Sequence, residues 1–168
     1  TLTAFMPSQF SIEGALDATL AANWQLGNLP EATLNISSNS GKLTQQLNSP
    51  MAISWHQLTL QSMLSGDVLK NTLAINFTDD TSLNAELQVS ELQSAGNKLQ
   101  GHVKLQQFAL DILQPLLGEL NEFNGQLSSN LAIAGSLQQP LLNGEIALSK
   151  IRAKGKKAPI DVDDAEIS

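Results

Sequence analysis

From Phe123 to Leu148 the chain reads FNGQLSSNLAIAGSLQQPLLNGEIAL, with its aliphatic residues on alternate positions. Phe123, Leu127, Leu131 and Ile133 are separated by Asn124, Gln126, Ser128 and Asn130. Side chains of a strand point alternately to opposite faces, so this spacing makes one apolar and one wet face. Gly135-Ser136-Leu137 interrupts the pattern, and Pro140 has no N–H to give a ladder, so the chain turns here. The alternation restarts on even numbers at Leu142, Gly144, Ile146 and Leu148. The stretch predicts two half-apolar strands joined by a turn.

The rest of the chain repeats the theme. The longest alternation puts Phe10, Ile12, Gly14, Leu16, Ala18, Leu20, Ala22, Trp24 and Leu26 on one face, against Ser11, Glu13, Asp17, Thr19, Asn23 and Gln25. It predicts either one very long strand or two in phase with a bend near Ala21-Ala22. A turn at Gly27–Pro30 follows, then a strand through Ala32, Leu34 and Ile36, then a loop over residues 37–41. Met51, Ile53 and Trp55 are odd-numbered, whereas Leu58, Leu60 and Leu64 are even. That slip at His56-Gln57 predicts a bulge, in which one extra residue re-aims the side chains. Leu69, Leu73, Ile75 and Phe77 form the next row, then Leu83, Ala85, Leu87 and Val89, then Leu99, Gly101, Val103 and Leu105. Turns are expected at residues 65–67, 78–81 and 94–97, and a second slip at Gln106-Gln107. Only Asp111–Leu120 carries a helical stripe, with Asp111 placed to cap it and Pro115 limiting it to one or two turns. Residues 158–168 are expected to add a last strand. The whole predicts an all-β meander of roughly nine to eleven antiparallel strands with one short helix.

A sheet with one apolar face must cover it with helices, a second sheet or lipid. One short helix cannot cover so many strands. An outer-membrane barrel would need aromatic girdles, and the chain has no Tyr, two Trp and five Phe. Two arrangements remain: a closed sandwich, or a sheet bent into a trough with an open inner wall. Gly14, Gly101, Gly125 and Gly144 lie on the apolar face, where they either serve close packing and coiling or leave room for a guest. Trp24 and Trp55 on the same face either fill a core or stand at a rim.

The charge pattern narrows the function. Only 15% of residues are charged, so amides and hydroxyls build the wet faces, with 28 Asn plus Gln. Net charge is −7, and five of the nine bases are Lys150, Arg152, Lys154, Lys156 and Lys157. One short basic cluster without interleaved aromatics argues against nucleic-acid binding. No Cys is present, which excludes disulfides and thiolate metal sites. The apolar faces of these strands carry no charged residue, so no catalytic constellation converges there. His56 and His102 read as surface residues. Asp79-Asp80 and Asp161-Asp163-Asp164 lack the spacing of a Ca²⁺ loop. No catalytic residue, metal or cofactor is expected. No run approaches the ~18 apolar residues of a membrane-spanning helix. The chain starts at Thr1 and is expected to be a single domain over residues 1–168, cut from a longer repetitive β protein.

The opening stretch, Gly125-x-Leu127…Leu131-x-Ile133-x-Gly135-Ser136-Leu137-x-x-Pro140-x-Leu142-x-Gly144-x-Ile146-x-Leu148, resembles the repeated G-x-L…G-x-L-x-x-P-x-L-x-G-x-L units of the TamB family, which belongs with the AsmA-like proteins. Residues 14–36 read as an imperfect copy, with Thr33 or Leu34 where the family has its second glycine. Asp111-Ile112-Leu113-x-Pro115-Leu116 resembles the family's helical lead-in. The resemblance covers about half the chain and places it in the C-terminal half of such a protein. It implies a long β-sheet curled, taco-like, into an open hydrophobic groove. It also implies inner-membrane anchoring, a periplasmic location, phospholipid movement between the two membranes, and outer-membrane protein assembly with the barrel partner TamA.

On the lipid reading, the groove is lined by Ile12, Leu16, Leu20, Trp24, Leu26, Leu34, Ile36, Met51, Ile53, Trp55, Leu73, Ile75, Phe77, Leu83, Leu87, Val89, Leu99, Val103, Leu105, Leu127, Leu131, Ile133, Ile146 and Leu148. Its guests are phospholipid acyl chains. A second reading is a scaffold whose edge strands pair with outer-membrane protein clients or with TamA. A third is a closed structural sandwich that binds no apolar dye.

Overall fold

The computed structural model describes residues 9–45, 51–77, 81–94, 96–117, 120–155 and 161–167, with backbone alone for 115–116, 120–121 and 161–167. Eleven strands form one antiparallel sheet: β1 (Phe10–Gly14), β2 (Asp17–Asn23), β3 (Glu31–Ser38), β4 (Gly41–Gln45), β5 (Met51–Ser65), β6 (Val68–Phe77), β7 (Ser82–Ser90), β8 (Lys98–Ala109), β9 (Leu120–Gly135), β10 (Pro140–Gly155) and β11 (Asp161–Ile167). A 3-10 helix (Leu110–Leu116) separates β8 from β9. No second sheet is present among the described residues, so the closed sandwich is not the fold.

The connectivity is a meander. β3 and β4 both pair with β5 and run in line along it, and β1 and β2 run in line along β4 and β3. The break in the first long alternation falls at Ala15-Leu16, not near Ala21-Ala22. Between the Gly14–Gly41 and Asp17–Ser37 pairs, Ala15-Leu16 face the longer stretch Ser38-Asn39-Ser40, which kinks both strands. Residues 37–41, expected as a loop, are therefore an interruption of only Asn39-Ser40 within a continuing strand. The alternation ends at Asn23, and the turn that follows is closed by Asn28 N–H donating to Gln25 O at 3.0 Å.

Both predicted bulges are present. The ladder between β5 and β6 shifts register between Trp55 and Gln57. That between β8 and β9 shifts between Leu105 and Phe108, where Gln107 takes φ 49° and donates its N–H to Ser128 Oγ at 3.1 Å. A further bulge at Lys150-Ile151, with Lys150 at φ 54°, was not legible from alternation alone. The irregularities at residues 15–16, 39–40, 56 and 106–107 fall on one line across the sheet, because their strands are paired there. The β6–β7 hairpin ends on the same line, where Phe77 N–H donates to Thr81 O at 2.9 Å. Bulges increase local twist and bend a strand, so a row of them creases the sheet. The connection over 78–80 lies outside the described residues, as do Ala95 and the start of the last expected strand, 158–160.

Below the crease, the 3-10 helix lies against both β9 and β5. Four strand spacings separate these strands, about 19 Å in a flat sheet, so contact with one short helix requires the sheet to curl. Asp111 is the second residue of the helix, not its cap; Ala109 holds that position and gives no side-chain hydrogen bond.

Candidate functional site

The register brings the aliphatic side chains of successive strands into transverse rows on one face, since directly paired residues of antiparallel strands share a face. One row runs Ala18, Ile36, Leu60, Leu73, Ala85, Val103, Leu131, Gly144. On the side nearer the crease lie Ser38, Leu58, Ile75, Leu83, Leu105, Ser129, Ile146. On the other side lie Leu20, Leu34, Ser62, Asn71, Leu87, Gly101, Ile133, Leu142, and beyond them Ala22, Ala32, Leu64, Leu69, Val89, Leu99. The only polar side chains in these four rows are Ser38, Ser62, Asn71 and Ser129. None is ionisable.

The opposite face carries the charges. Glu86 is paired in register with His102, Asn84 with Lys104, and Asn130 with Glu145. Amides crosslink neighbouring strands there: Gln61 Nε2 donates to Asn35 Oδ1 at 3.1 Å, and Asn76 Nδ2 to Gln57 Oε1 at 3.3 Å. His56 is exposed at the bulge and His102 is exposed on this wet face. The Lys98 ammonium is held above its usual pKa, first by its hydrogen bond to Glu91 and then by that carboxylate's charge. It too lies away from the aliphatic rows. In the basic stretch, Lys154 sits 3.7 Å from Glu122 and is paired in register with Asp161; Lys156 and Lys157 lie outside the described residues. Among the described residues no His, Cys, Asp or Glu cluster could hold a metal ion; Asp79 and Asp80 lie outside them.

Below the crease the apolar face is packed. Trp55 is 8% exposed, lies over Gly41, and donates Nε1–H to Ser38 Oγ at 3.1 Å. Phe77 and Phe108 meet edge to face at 5.7 Å. Leu110 is buried, with its Cδ1 3.2 Å from where a Cβ on Gly125 would stand. Ile53, Phe77, Phe108 and Ile112 border a cavity of about 130 Å³ beneath the helix. Ile12, Met51 and Leu43 continue this half-buried region on β1, β5 and β4, and Leu127 and Leu148 are paired beside Phe108.

Above the crease the rows stay uncovered. Val89 and Leu99, flanking the β7–β8 connection, are buried, whereas Leu73, Ile75, Leu83, Leu87, Val103, Leu105, Leu131 and Ile133 are half-buried. At the two edges Leu20 is 71%, Leu142 66% and Ile146 56% exposed. Leu34 and Ile36 line the β3 part of the face, and Leu16 is half-buried at the kink. Trp24 and Leu26 are not part of the rows: they stand past the end of β2, 68% and 94% exposed, because the strand stops at Asn23. Trp55 is thus core and Trp24 is surface.

The glycines on the apolar face serve close packing. Leu110 fills the space over Gly125, and a Cβ on Gly101 would stand 2.2 Å from Glu86 O. Gly144 adopts φ 150°, and its Cβ would stand 2.0 Å from Asn130 O. Among the described residues no second layer covers these rows, and the glycines add no space of their own.

No helix among the described residues is long and apolar enough to cross a membrane. No solved structure matches this chain. The chain is 26% identical over 161 residues to the translocation and assembly module subunit TamB of Haemophilus influenzae. That similarity covers 95% of this chain but only 12% of the relative's length. The expected place in the C-terminal half finds no support here, since the family model that matches is that of the TamB N-terminal domain, over residues 1–148. With most of its length matched by that model, and an open β-sheet as its fold, this chain belongs to the TamB family.

Proposed function

We propose that this chain is a non-catalytic section of a hydrophobic groove that shields acyl chains during phospholipid transport between the inner and outer membranes. Residues 1–168 act as one groove unit of a longer periplasmic β protein, anchored in the inner membrane and working within the translocation and assembly module beside the barrel TamA. The observation that carries this reading is the set of four aligned aliphatic rows, free of ionisable groups and left without a covering layer among the described residues.

Each CH₂ removed from water contributes about 0.8 kcal/mol, so even a partly buried acyl chain is held by several kcal/mol. The attraction has no preferred direction, so a guest advances along the rows without breaking specific bonds. Charge on this face would oppose that, because an ion buried without a partner is costly. In the full-length protein, Ile146→Arg places a cation at an exposed position of the rows, and Leu127→Asp an anion near the packed end. Both are expected to cut lipid transfer while circular dichroism keeps its β signature. Undiminished transfer by well-folded variants would overturn the reading.

A second reading has its own observation. Among the described residues β2 pairs only with β3, and residues 140–147 of β10 have no second neighbour, so two edges are open for strand addition. Such edges would let the chain serve as a scaffold for outer-membrane protein clients or the partner barrel. Photocrosslinkers on the apolar rows separate the two: lipid adducts support the groove, and protein adducts the scaffold.

A further inference from the structure

Of the four polar side chains in the aliphatic rows, Ser38 is bonded to Trp55 and Ser129 stands alone, while Ser62 and Asn71 are paired with each other. Asn71 lies on β6, an interior strand, on the same face as Leu69 and Leu73, and is paired in register with Ser62 on one side and Leu87 on the other. Both polar side chains are half-buried, and neither makes a side-chain hydrogen bond among the described residues. No buried side-chain nitrogen or oxygen among the described residues lacks a partner, so the free Asn71 amide and Ser62 hydroxyl open into the groove. What sets Asn71 apart is its place among the aliphatic rows; on the opposite face Gln61 and Asn76 bond across strands to Asn35 and Gln57.

An amide in this position resists an uninterrupted hydrocarbon guest, because covering it with CH₂ groups removes water and returns no hydrogen bond. It suits a guest that is hydrocarbon on one side and carries an acceptor at one point. We infer that Asn71, assisted by Ser62, receives the ester group of a glycerolipid, with Asn71 Nδ2–H donating to the ester carbonyl. This rests on the lipid reading above and adds the part of the lipid that is recognised and its placement. The tail then runs along β6 over Leu73 and Ile75 toward Phe77, where the face is packed by Phe108 and the 3-10 helix. Six residues of strand from Asn71 to Phe77 span about 20 Å. One leaflet of bilayer hydrocarbon is about 15 Å deep. An ester held at Asn71 therefore leaves its tail room to lie on the aliphatic rows before the packed end.

The test places a photocrosslinking amino acid at Leu87, opposite Asn71, in the full-length protein, and a control at Leu131 on β9. Each is loaded from vesicles of diacyl phosphatidylethanolamine or of its dialkyl ether analogue, and adducts are measured by mass spectrometry. The ether analogue lacks the carbonyl. The diester is expected to give about fivefold more adduct at Leu87, matching one hydrogen bond of about 1 kcal/mol. Asn71→Leu is expected to bring that ratio to one without lowering the adduct at Leu131, which shows the groove intact. Equal yields of the two lipids at Leu87, or a preference that survives Asn71→Leu, would overturn the inference while leaving the groove in place. Absence of lipid adducts at both positions would overturn the lipid reading itself.

Discussion

At the residue scale, Trp55 shows how a single side chain anchors the packed end. Its ring occupies the space that a side chain at residue 41 would need: a Cβ on Gly41 would stand 2.1 Å from Trp55 Cζ2. The indole N–H is satisfied by Ser38 Oγ, which itself donates to Ser40 O at 3.0 Å, so the kink at Asn39-Ser40 and the tryptophan support each other. Gly41→Ala is expected to destabilise the chain by about 1–3 kcal/mol through overpacking, read as a lower urea midpoint at unchanged slope. The two tryptophans should also separate in fluorescence. Trp24, 68% exposed, will be quenched by acrylamide, and Trp55, 8% exposed, will be protected, so Trp55→Phe should leave only quenchable emission. From sequence the two were equivalent, because alternation places both on one face; the end of β2 at Asn23 is what divides them.

At the element scale, strand phase explains the sheet and a few defects explain its shape. Amides and β-favouring alternation suffice to specify the strands and the two slips at residues 56–57 and 106–107, and both slips are where the sequence puts them. The slip at Lys150-Ile151 was hidden because Ile151 and Ala153 resume a plausible apolar pattern on odd numbers within a basic run. The helix was legible as a stripe, but its job was not. Leu110, 7% exposed, is its anchor on the apolar face over Gly125. Leu110→Ala is expected to cost about 2–5 kcal/mol, measured by denaturant unfolding. Gly144→Ala is expected to cost more than about 1 kcal/mol, since φ 150° and the nearby Asn130 carbonyl both oppose a side chain.

At the scale of the whole molecule, the chain keeps an unusual amount of surface. It exposes 11361 Å², whereas a compact monomer of its 18.0 kDa would expose roughly 8,000 Å². Only Trp55, Val89, Leu99 and Leu110 are buried apolar residues among those described, and they sit near the ends of the sheet, not at its centre. A polarity-sensitive apolar dye is therefore expected to bind the native chain and brighten. Leu73→Asp, in the middle of the uncovered rows, should reduce that binding; a native chain that leaves the dye dark would contradict an accessible groove.

Alternation by itself determined that this protein is a meander of half-apolar strands with its charges segregated to one side, because a period of two is a local property of the backbone and survives without tertiary context. It could not distinguish a trough from two sheets closed on each other, since both bury the same residues of each strand. The tertiary structure decided that: the strands stay in one sheet, the bulges align into a crease, and one short helix closes only the end beyond it. Register is a relation between strands far apart in sequence. Only once it is fixed do Leu60, Leu73, Val103 and Leu131 become a row, and only then does Asn71 stand out within the face they share.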